Sequence, residues 1–256
     1  MLMIISPAKT LDLTHPYPPN LQHQAPALLE HAAQLVDILK NKSPVELAQL
    51  MSISDKLAVL NAGRFSSWAQ PFNAENARPA LFTFMGDVYE GIDAAHLAPE
   101  ALARADRQLR ILSGLYGVLA PMDWMQPYRL EMGTRLSNHR GPNLYTFWGD
   151  LITEQLNLAL EQYAHPCLIN LASEEYFKAV NPKKLRSQII TPVFQESKGE
   201  GYKVISFHAK RARGLMVRYA LENGLKHAED LKSFDLEGYC FTPEASQETV
   251  WIFRRA

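Results

Sequence analysis

The sequence predicts a mixed α/β fold, of the α+β type, in which helices surround a central mixed sheet of unusual topology. Short apolar segments typical of buried strands lie at residues 2–6, 167–171 and 250–253, and amphipathic helical segments lie between them. The regular strand–helix alternation of a doubly wound sheet is missing from this pattern. Because no repeat or low-complexity linker divides the 256 residues, we expect a single domain over residues 1–256.

The individual elements follow from local spacing and from residues that start or stop them. Apolar residues recur with helical period over 27–41, which predicts an amphipathic helix. Ser43, Pro44 and Glu46 form a helix start with a capping box. The remaining predictions are a strand at 81–84, a helix at 100–112, a strand or strand–turn at 111–119, an ordered loop at 121–135, helices at 147–163 and 209–222, and a hairpin of 193–194 with 202–207.

Composition argues against two classes of protein. The two cysteines, Cys167 and Cys240, are 73 positions apart and form no CxxC pair, so a secreted disulfide scaffold is not expected. Cys167 lies in an apolar strand and is predicted to be an inert core thiol. The apolar start at residues 1–5 is too short for a signal peptide, and no apolar run approaches a membrane span. We therefore expect a cytoplasmic protein with no membrane partner.

The formal net charge of −1 conceals a strong asymmetry along the chain. Residues 178–218 contain ten Lys and Arg against two Glu, a local balance of +8, so the other 16 basic and 25 acidic residues carry −9. Such asymmetry favours a basic surface that faces an anionic partner, and a solvated, salt-bridged face is the alternative. The ten cations are Lys178, Lys183, Lys184, Arg186, Lys198, Lys203, Lys210, Arg211, Arg213 and Arg218.

Residues 44–63 follow the order of a helix-hairpin-helix segment. Ile53 takes the place of the apolar plug, and Ser52 and Ser54 stand where such motifs carry glycine. A tight turn before a helix points free amides outward, and these can receive a phosphate while Lys56 adds positive charge. Arg64 lies on the same predicted helix, eight residues further on. Contacts of this kind go to the nucleic-acid backbone and predict binding without sequence preference.

An ordinary helical hairpin is the alternative for this segment. Serine has a steric cost at positive φ that glycine avoids, and Asp55 places a negative charge at the turn. Ser54 can also cap its own helix.

A second functional hypothesis is an enzyme for a small anionic or nucleotide-like substrate. Polar residues follow two predicted strands, and active sites of α/β proteins often lie at such positions. Helix capping by Ser173 with dipole-favoured acids is the structural alternative. We name no catalytic residue, because the sequence has no GxSxG, HExxH, P-loop or GxGxxG pattern. The enzyme is therefore the less favoured of the two functional hypotheses. The candidate pocket residues are Lys9, Arg129, Glu131, Glu174, Glu175, Lys178 and Lys210.

Histidine spacing gives no support to a metal site. The eight histidines form neither HxH nor HxxxH pairs, so we expect no metal and no cofactor.

Motif-like segments lie along most of the chain, at residues 5–11, 53–58, 86–89, 112–119, 126–133, 147–150, 170–173 with 175–178, and 212–216. These segments resemble the YaaA family of bacterial proteins. The resemblance implies a cytosolic protein that limits peroxide damage by keeping intracellular free iron low. It also implies an unusual mixed fold with a basic cleft that binds duplex DNA.

Together these observations predict a sequence-independent duplex-binding surface. Its partner is expected to be double-stranded DNA, with double-stranded RNA as the alternative. The predicted nucleic-acid-binding residues are Ser52, Ser54, Lys56, Arg64, Lys9, Lys183, Lys184, Lys210, Arg211 and Arg213.

Overall fold

A central sheet with helices packed around it organises the chain. The structure, a computed structural model, describes residues 1–199 and 201–256. The strands are β1 (Leu2–Ile5), β2 (Thr10–Leu11), β3 (Arg78–Pro79), β4 (Phe84–Met85), β5 (Leu109–Ser113), β6 (Gly117–Leu119), β7 (Trp124–Met125), β8 (Cys167–Leu171), β9 (Gln188–Lys198), β10 (Gly201–Lys203), β11 (Cys240–Phe241) and β12 (Val250–Arg255). The α-helices are α1 (Leu29–Lys40), α2 (Pro44–Met51), α3 (Asp55–Ser67), α4 (Asp87–Ile92), α5 (Pro99–Gln108), α6 (Leu144–Trp148), α7 (Leu151–Leu160), α8 (Glu174–Phe177) and α9 (Ser206–Glu222).

The main sheet has the order β11-β12-β9-β8-β1-β5-β6, with β10 paired to β9. The five inner strands, from β12 to β5, run parallel, whereas β6, β10 and β11 pair antiparallel with their neighbours. Every residue of β1 and β8 is buried, as expected for parallel strands that are covered on both faces. The predicted mixed α/β fold with a central mixed sheet is therefore confirmed.

The connections leave β1 and β8 in opposite directions. After β1 the chain reaches its next strand in this sheet, β5, on one side, and after β8 it reaches β9 on the other side. This is a topological switch point, where the loops diverge and leave a crevice at the carboxyl ends of the strands.

The predicted helical hairpin forms from α2, a short turn and α3. The Ser43 Oγ accepts a hydrogen bond from the Glu46 N–H, and the Glu46 carboxylate accepts one from the Ser43 N–H, which confirms the capping box. Ser52 ends α2 in the left-handed region at φ 52°. Ile53 packs partly buried against the core, as the plug of such a hairpin should.

Helix α9 lies against α4 at very short range, because a glycine stands on each helix at the contact. A Cβ on Gly214 would lie 1.9 Å from the Val88 carbonyl oxygen, and one on Gly91 would lie 2.4 Å from the Arg211 carbonyl oxygen. This contact fixes α9, and with it the basic side chains between Lys210 and Arg218.

Four local predictions are wrong. The helix predicted over 100–112 ends at Gln108, because residues 109–113 form the buried strand β5. Residues 80–82 form a 3₁₀ turn, and only Phe84–Met85 pairs as a strand, with β2. The helix predicted over 147–163 is two helices, because Gly149 at φ 49° ends α6 before α7 begins. The second strand of the predicted 193–207 hairpin ends at Lys203, and α9 begins at Ser206.

Buried apolar side chains from both ends of the chain belong to one core cluster, which includes Met1 and Phe253. The single domain over residues 1–256 stays a prediction.

Candidate functional site

The turn of the helical hairpin presents the first-turn amides of α3 to solvent. Ser52 adopts left-handed backbone angles, and the Ile53 N–H donates to the Ala48 carbonyl oxygen at 3.1 Å. The first N–H groups of a helix have no hydrogen-bond partner within the helix. Ser54 is the N-cap residue of α3, and within the described residues no side-chain capping hydrogen bond forms there. Ser52, Ser54 and Lys56 are all exposed. The turn can therefore receive an anion, although Asp55 lies at the same place.

The two predicted cations of α3 lie at opposite ends of this helix. Lys56 stands in the first turn, whereas Arg64 stands in the last, half-buried, and burial lowers the pKa of its guanidinium. Eight helical residues span about 12 Å, so the two side chains can reach neighbouring phosphates but not the same one.

Three of the other six predicted cations form ion pairs with acidic neighbours. Lys9 Nζ lies 3.0 Å from Glu131 Oε2, and Lys184 Nζ lies 2.6 Å from Asp150 Oδ2. Arg211 Nη2 lies 2.7 Å from Glu237 Oε1.

Three further cations of the predicted site remain. Arg213 is half-buried near Glu174, and burial lowers the pKa of its guanidinium. Lys183 and Lys210 are exposed and form no ion pair within the described ranges. That these cations share one surface with the hairpin stays a prediction.

A second group of polar residues meets at the switch point between β1 and β8. Ser6 follows β1, and Ser173 follows β8. The Ser173 N–H donates to the Ser6 Oγ at 2.9 Å, and the Ser6 hydroxyl donates to the Ser173 Oγ at 3.2 Å. The Tyr89 hydroxyl donates to the Ser6 carbonyl oxygen at 3.0 Å. These bonds join two loops that are 167 residues apart in the chain.

Four of the seven predicted pocket residues line this crevice, a cavity of about 60 Å³. The Glu131 carboxylate bridges Lys9, at 3.0 Å, and Arg129, at 3.1 Å. Glu175 Oε1 accepts a hydrogen bond from the Gly133 N–H at 2.8 Å. Arg129 Nε is buried and finds no acceptor among the described residues. Cations and carboxylates thus alternate around a space the size of a small anion or a pair of waters.

The other three predicted pocket residues lie elsewhere or only nearby. Lys178 Nζ stands 5.1 Å from the centre of the Tyr145 ring, and Tyr145 donates to the Glu175 carbonyl oxygen. Glu174 begins α8 directly after Ser173, and Lys210 is an exposed residue of α9.

Two tyrosines close the crevice and were missed by the sequence analysis. Burial raises the pKa of Tyr128 and raises that of Tyr176 well above its ordinary value, so both phenols stay neutral. The hydroxyls of Tyr128 and Ser113 are 2.6 Å apart. They had two sequence signals. Tyr128 precedes Arg129 and Tyr176 follows Glu175, and both lie in family-like segments, 126–133 and 175–178.

Comparison with known proteins assigns the chain to a family. Residues 1–245 match the profile of the family described as "Peroxide stress protein YaaA". The chain is 56% identical over 255 residues to a UPF0246 protein of Chromobacterium violaceum, covering 100% of this chain and 99% of that relative. It is 56% identical over 255 residues to a UPF0246 protein of Hahella chejuensis, with the same coverage. The chain belongs to the YaaA family of peroxide stress proteins.

The segments that resemble the YaaA family meet in the fold. Tyr89 bonds the loop after β1, Ser6 bonds the start of α8, and Lys9 pairs with Glu131 of the loop at 126–133. The Trp148 Nε1–H donates to the Gly114 carbonyl oxygen and joins two more of these segments. The crevice therefore lies where most of the family-like segments contact one another.

Three further observations complete the description. Burial raises the pKa of the Cys167 thiol, and Cys240 is exposed. In the part of the chain that the structure describes, no helix is long and apolar enough to cross a bilayer. Within the same residues, no three His, Cys, Asp or Glu side chains gather in a way that could hold a metal ion.

Proposed function

We propose that this YaaA-family protein acts in the cytoplasm in peroxide stress protection by binding duplex nucleic acid without sequence preference. The proposal includes a contribution to low intracellular free iron, which the family resemblance implies. The observation that carries the proposal is the geometry of the helical hairpin. Its turn residue is left-handed, its first-turn amides face solvent, and Lys56 stands beside them.

The chemistry of this turn selects phosphate. Outward amides and a nearby lysine attract a negatively charged group, and each phosphate that is neutralised releases counter-ions from the duplex. A contact to the backbone is the same in every sequence, and DNA and RNA duplexes both present it. Double-stranded DNA is the proposed partner, and double-stranded RNA is the competing one.

Fluorescence anisotropy with two unrelated DNA duplexes and one RNA duplex, each at several salt concentrations, tests the proposal. Lys56→Glu should weaken binding to both DNA sequences alike and flatten the salt dependence by about one phosphate contact, a slope change of about 0.9. Arg135→Glu, at an exposed arginine in the loop after β7 and outside the predicted binding residues, is the matched control and should bind duplex as the unchanged protein does. Salt-independent binding, or equal loss in both variants, would refute the role of the hairpin.

A second candidate function is an enzymatic reaction on a small anion in the crevice between β1 and β8. The favouring observation is that Lys9, Arg129, Glu131 and Glu175 gather at a switch point, where open α/β sheets bind their ligands.

Peroxide survival of deletion strains that carry single variants separates the two functions. If the hairpin is responsible, Lys56→Glu should abolish protection while Glu131→Gln retains it. The reverse pattern would establish the crevice as the working site and exclude the hairpin.

A further inference from the structure

A basic cavity lies at the opposite edge of the sheet, where β1, β5 and β8 begin. Its walls are the end of α5, the segment 162–165 that leads into β8, and the segment 224–227 that follows α9. The cavity has a volume of about 380 Å³, within the range of small-molecule sites in proteins. Strands of four or five residues separate it from the crevice by about 15 Å.

Among the described residues that line this cavity, every charged side chain is basic. Arg107 and Lys226 are exposed and take part in no ion pair within residues 1–199 and 201–256. The Arg104 guanidinium donates to the Leu221 carbonyl oxygen at 2.6 Å, which holds it at the cavity wall. Two imidazoles complete the rim. The five lining residues of basic type are Arg104, Arg107, His165, Lys226 and His227.

The remaining lining is largely apolar and contains one unused hydrogen-bond acceptor. Met1, Tyr163 and Ala164 supply apolar surface. Gln108 is only 8% exposed, and its Nε2–H donates to the Leu225 carbonyl oxygen at 2.9 Å. Its Oε1 is buried and accepts no hydrogen bond from any described residue. This oxygen is closed off from solvent, so the Gln108 side chain must turn before a ligand N–H or O–H can reach it. A buried acceptor without a partner is costly, and a ligand with such a donor would therefore favour that turn.

These three features together describe one class of ligand. Unpaired cations take an anionic group, the tyrosine ring and its apolar neighbours take a flat body, and the Gln108 Oε1 takes a donor from that body. We propose that this cavity binds a nucleotide, with its phosphates on Arg107 and Lys226 and its base against Tyr163. Because it lies at the edge away from the switch point, the bound nucleotide is an effector and not the substrate of the crevice.

The proposal is independent of the duplex-binding hairpin, and isothermal titration calorimetry of the full chain tests it. The probes are ATP, pyrophosphate and adenosine at constant ionic strength. ATP should bind more tightly than either of the other two, because only ATP fills both the basic and the apolar part. The double variant Arg107→Glu with Lys226→Glu should bind ATP at least tenfold more weakly. Both residues are exposed, so the variant should fold, which its thermal unfolding will check.

A matched control is Lys203→Glu, at an exposed lysine of β10. It should bind ATP as the unchanged protein does. The proposal is overturned if ATP does not bind, if pyrophosphate binds as tightly as ATP, or if the double variant keeps its affinity. Loss of ATP binding in Lys56→Glu instead would also overturn it, because the nucleotide would then occupy the hairpin.

Discussion

Asp123 gives the sharpest test of how the free energy of unfolding depends on pH, because its carboxyl group is buried where few groups compensate a negative charge. The residue is 3% exposed and precedes β7. Its Oδ2 accepts a hydrogen bond from the Ala120 N–H at 2.8 Å. Burial raises the pKa of Asp123 from its ordinary 3.8 to about 7, against the opposing effect of that hydrogen bond. Asp123→Asn keeps an oxygen for the Ala120 amide and removes the ionisable group.

The sign of the effect follows from the two pKa values. In the unfolded chain Asp123 ionises near pH 4, whereas in the folded chain it stays protonated to about pH 7. The folded state therefore loses stability as the pH rises between these values, and the loss is complete above pH 7. A shift of about 3 pKa units corresponds to about 4 kcal/mol in the free energy of unfolding.

Urea unfolding of the wild type and Asp123→Asn at pH 5 and pH 8 measures this loss. From pH 5 to pH 8, the free energy of unfolding of the variant should rise by about 2.5 kcal/mol relative to that of the wild type. This is less than the full value of about 4 kcal/mol, because the wild type has already lost part of its stability at pH 5. A difference between the two proteins that stays the same at both pH values would refute the buried, protonated carboxyl group.

Four other substitutions test the backbone and the crevice. Gly214→Ala should unfold the protein or lower its melting temperature strongly, because the added Cβ would overlap the Val88 carbonyl oxygen. Gly63→Ala is the control, because its added Cβ meets open space, and it should raise the free energy of unfolding by up to about 1 kcal/mol. Ser52→Gly should raise the free energy of unfolding by up to about 1 kcal/mol, because glycine adopts φ 52° without strain. Lys9→Met should change stability by less than about 1 kcal/mol in urea unfolding, because its ion pair is exposed.

Local features of the fold were predictable because their causes are local. The capping box at Ser43 and the turn at Ser52 depend on residues three or four positions apart, and both occur as predicted. The strands at 2–5 and 167–171 were visible as apolar runs. The break at Gly149 was missed because glycine is tolerated inside a helical pattern, and only its φ of 49° shows that the helix ends there.

The crevice was predictable only in part, because it depends on strand neighbours. The polar residues after β8 were predicted as a possible pocket, but nothing local places Ser173 beside Ser6. That contact arises because β1 pairs with β8 in parallel, with Leu2 opposite Leu168. The Glu131 bridge to Lys9 likewise joins residues that lie 122 positions apart in the sequence.

The basic segment, residues 178–218, has fewer cations available to phosphates than its local charge balance of +8 suggests, because the fold pairs some of them with acids. Four of its ten cations form ion pairs with acids from outside residues 178–218, as seen for Arg186 with Glu161 and Arg218 with Asp93. In the described part of the chain, at most six cations of the segment therefore remain to neutralise phosphates. Since each phosphate contributes about 0.9 to the salt slope, log K for duplex binding should fall by no more than about 5 per log unit of salt through this segment. A steeper slope would mean that these ion pairs open on binding, and Arg211→Gln with Arg218→Gln would then flatten it by about two contacts.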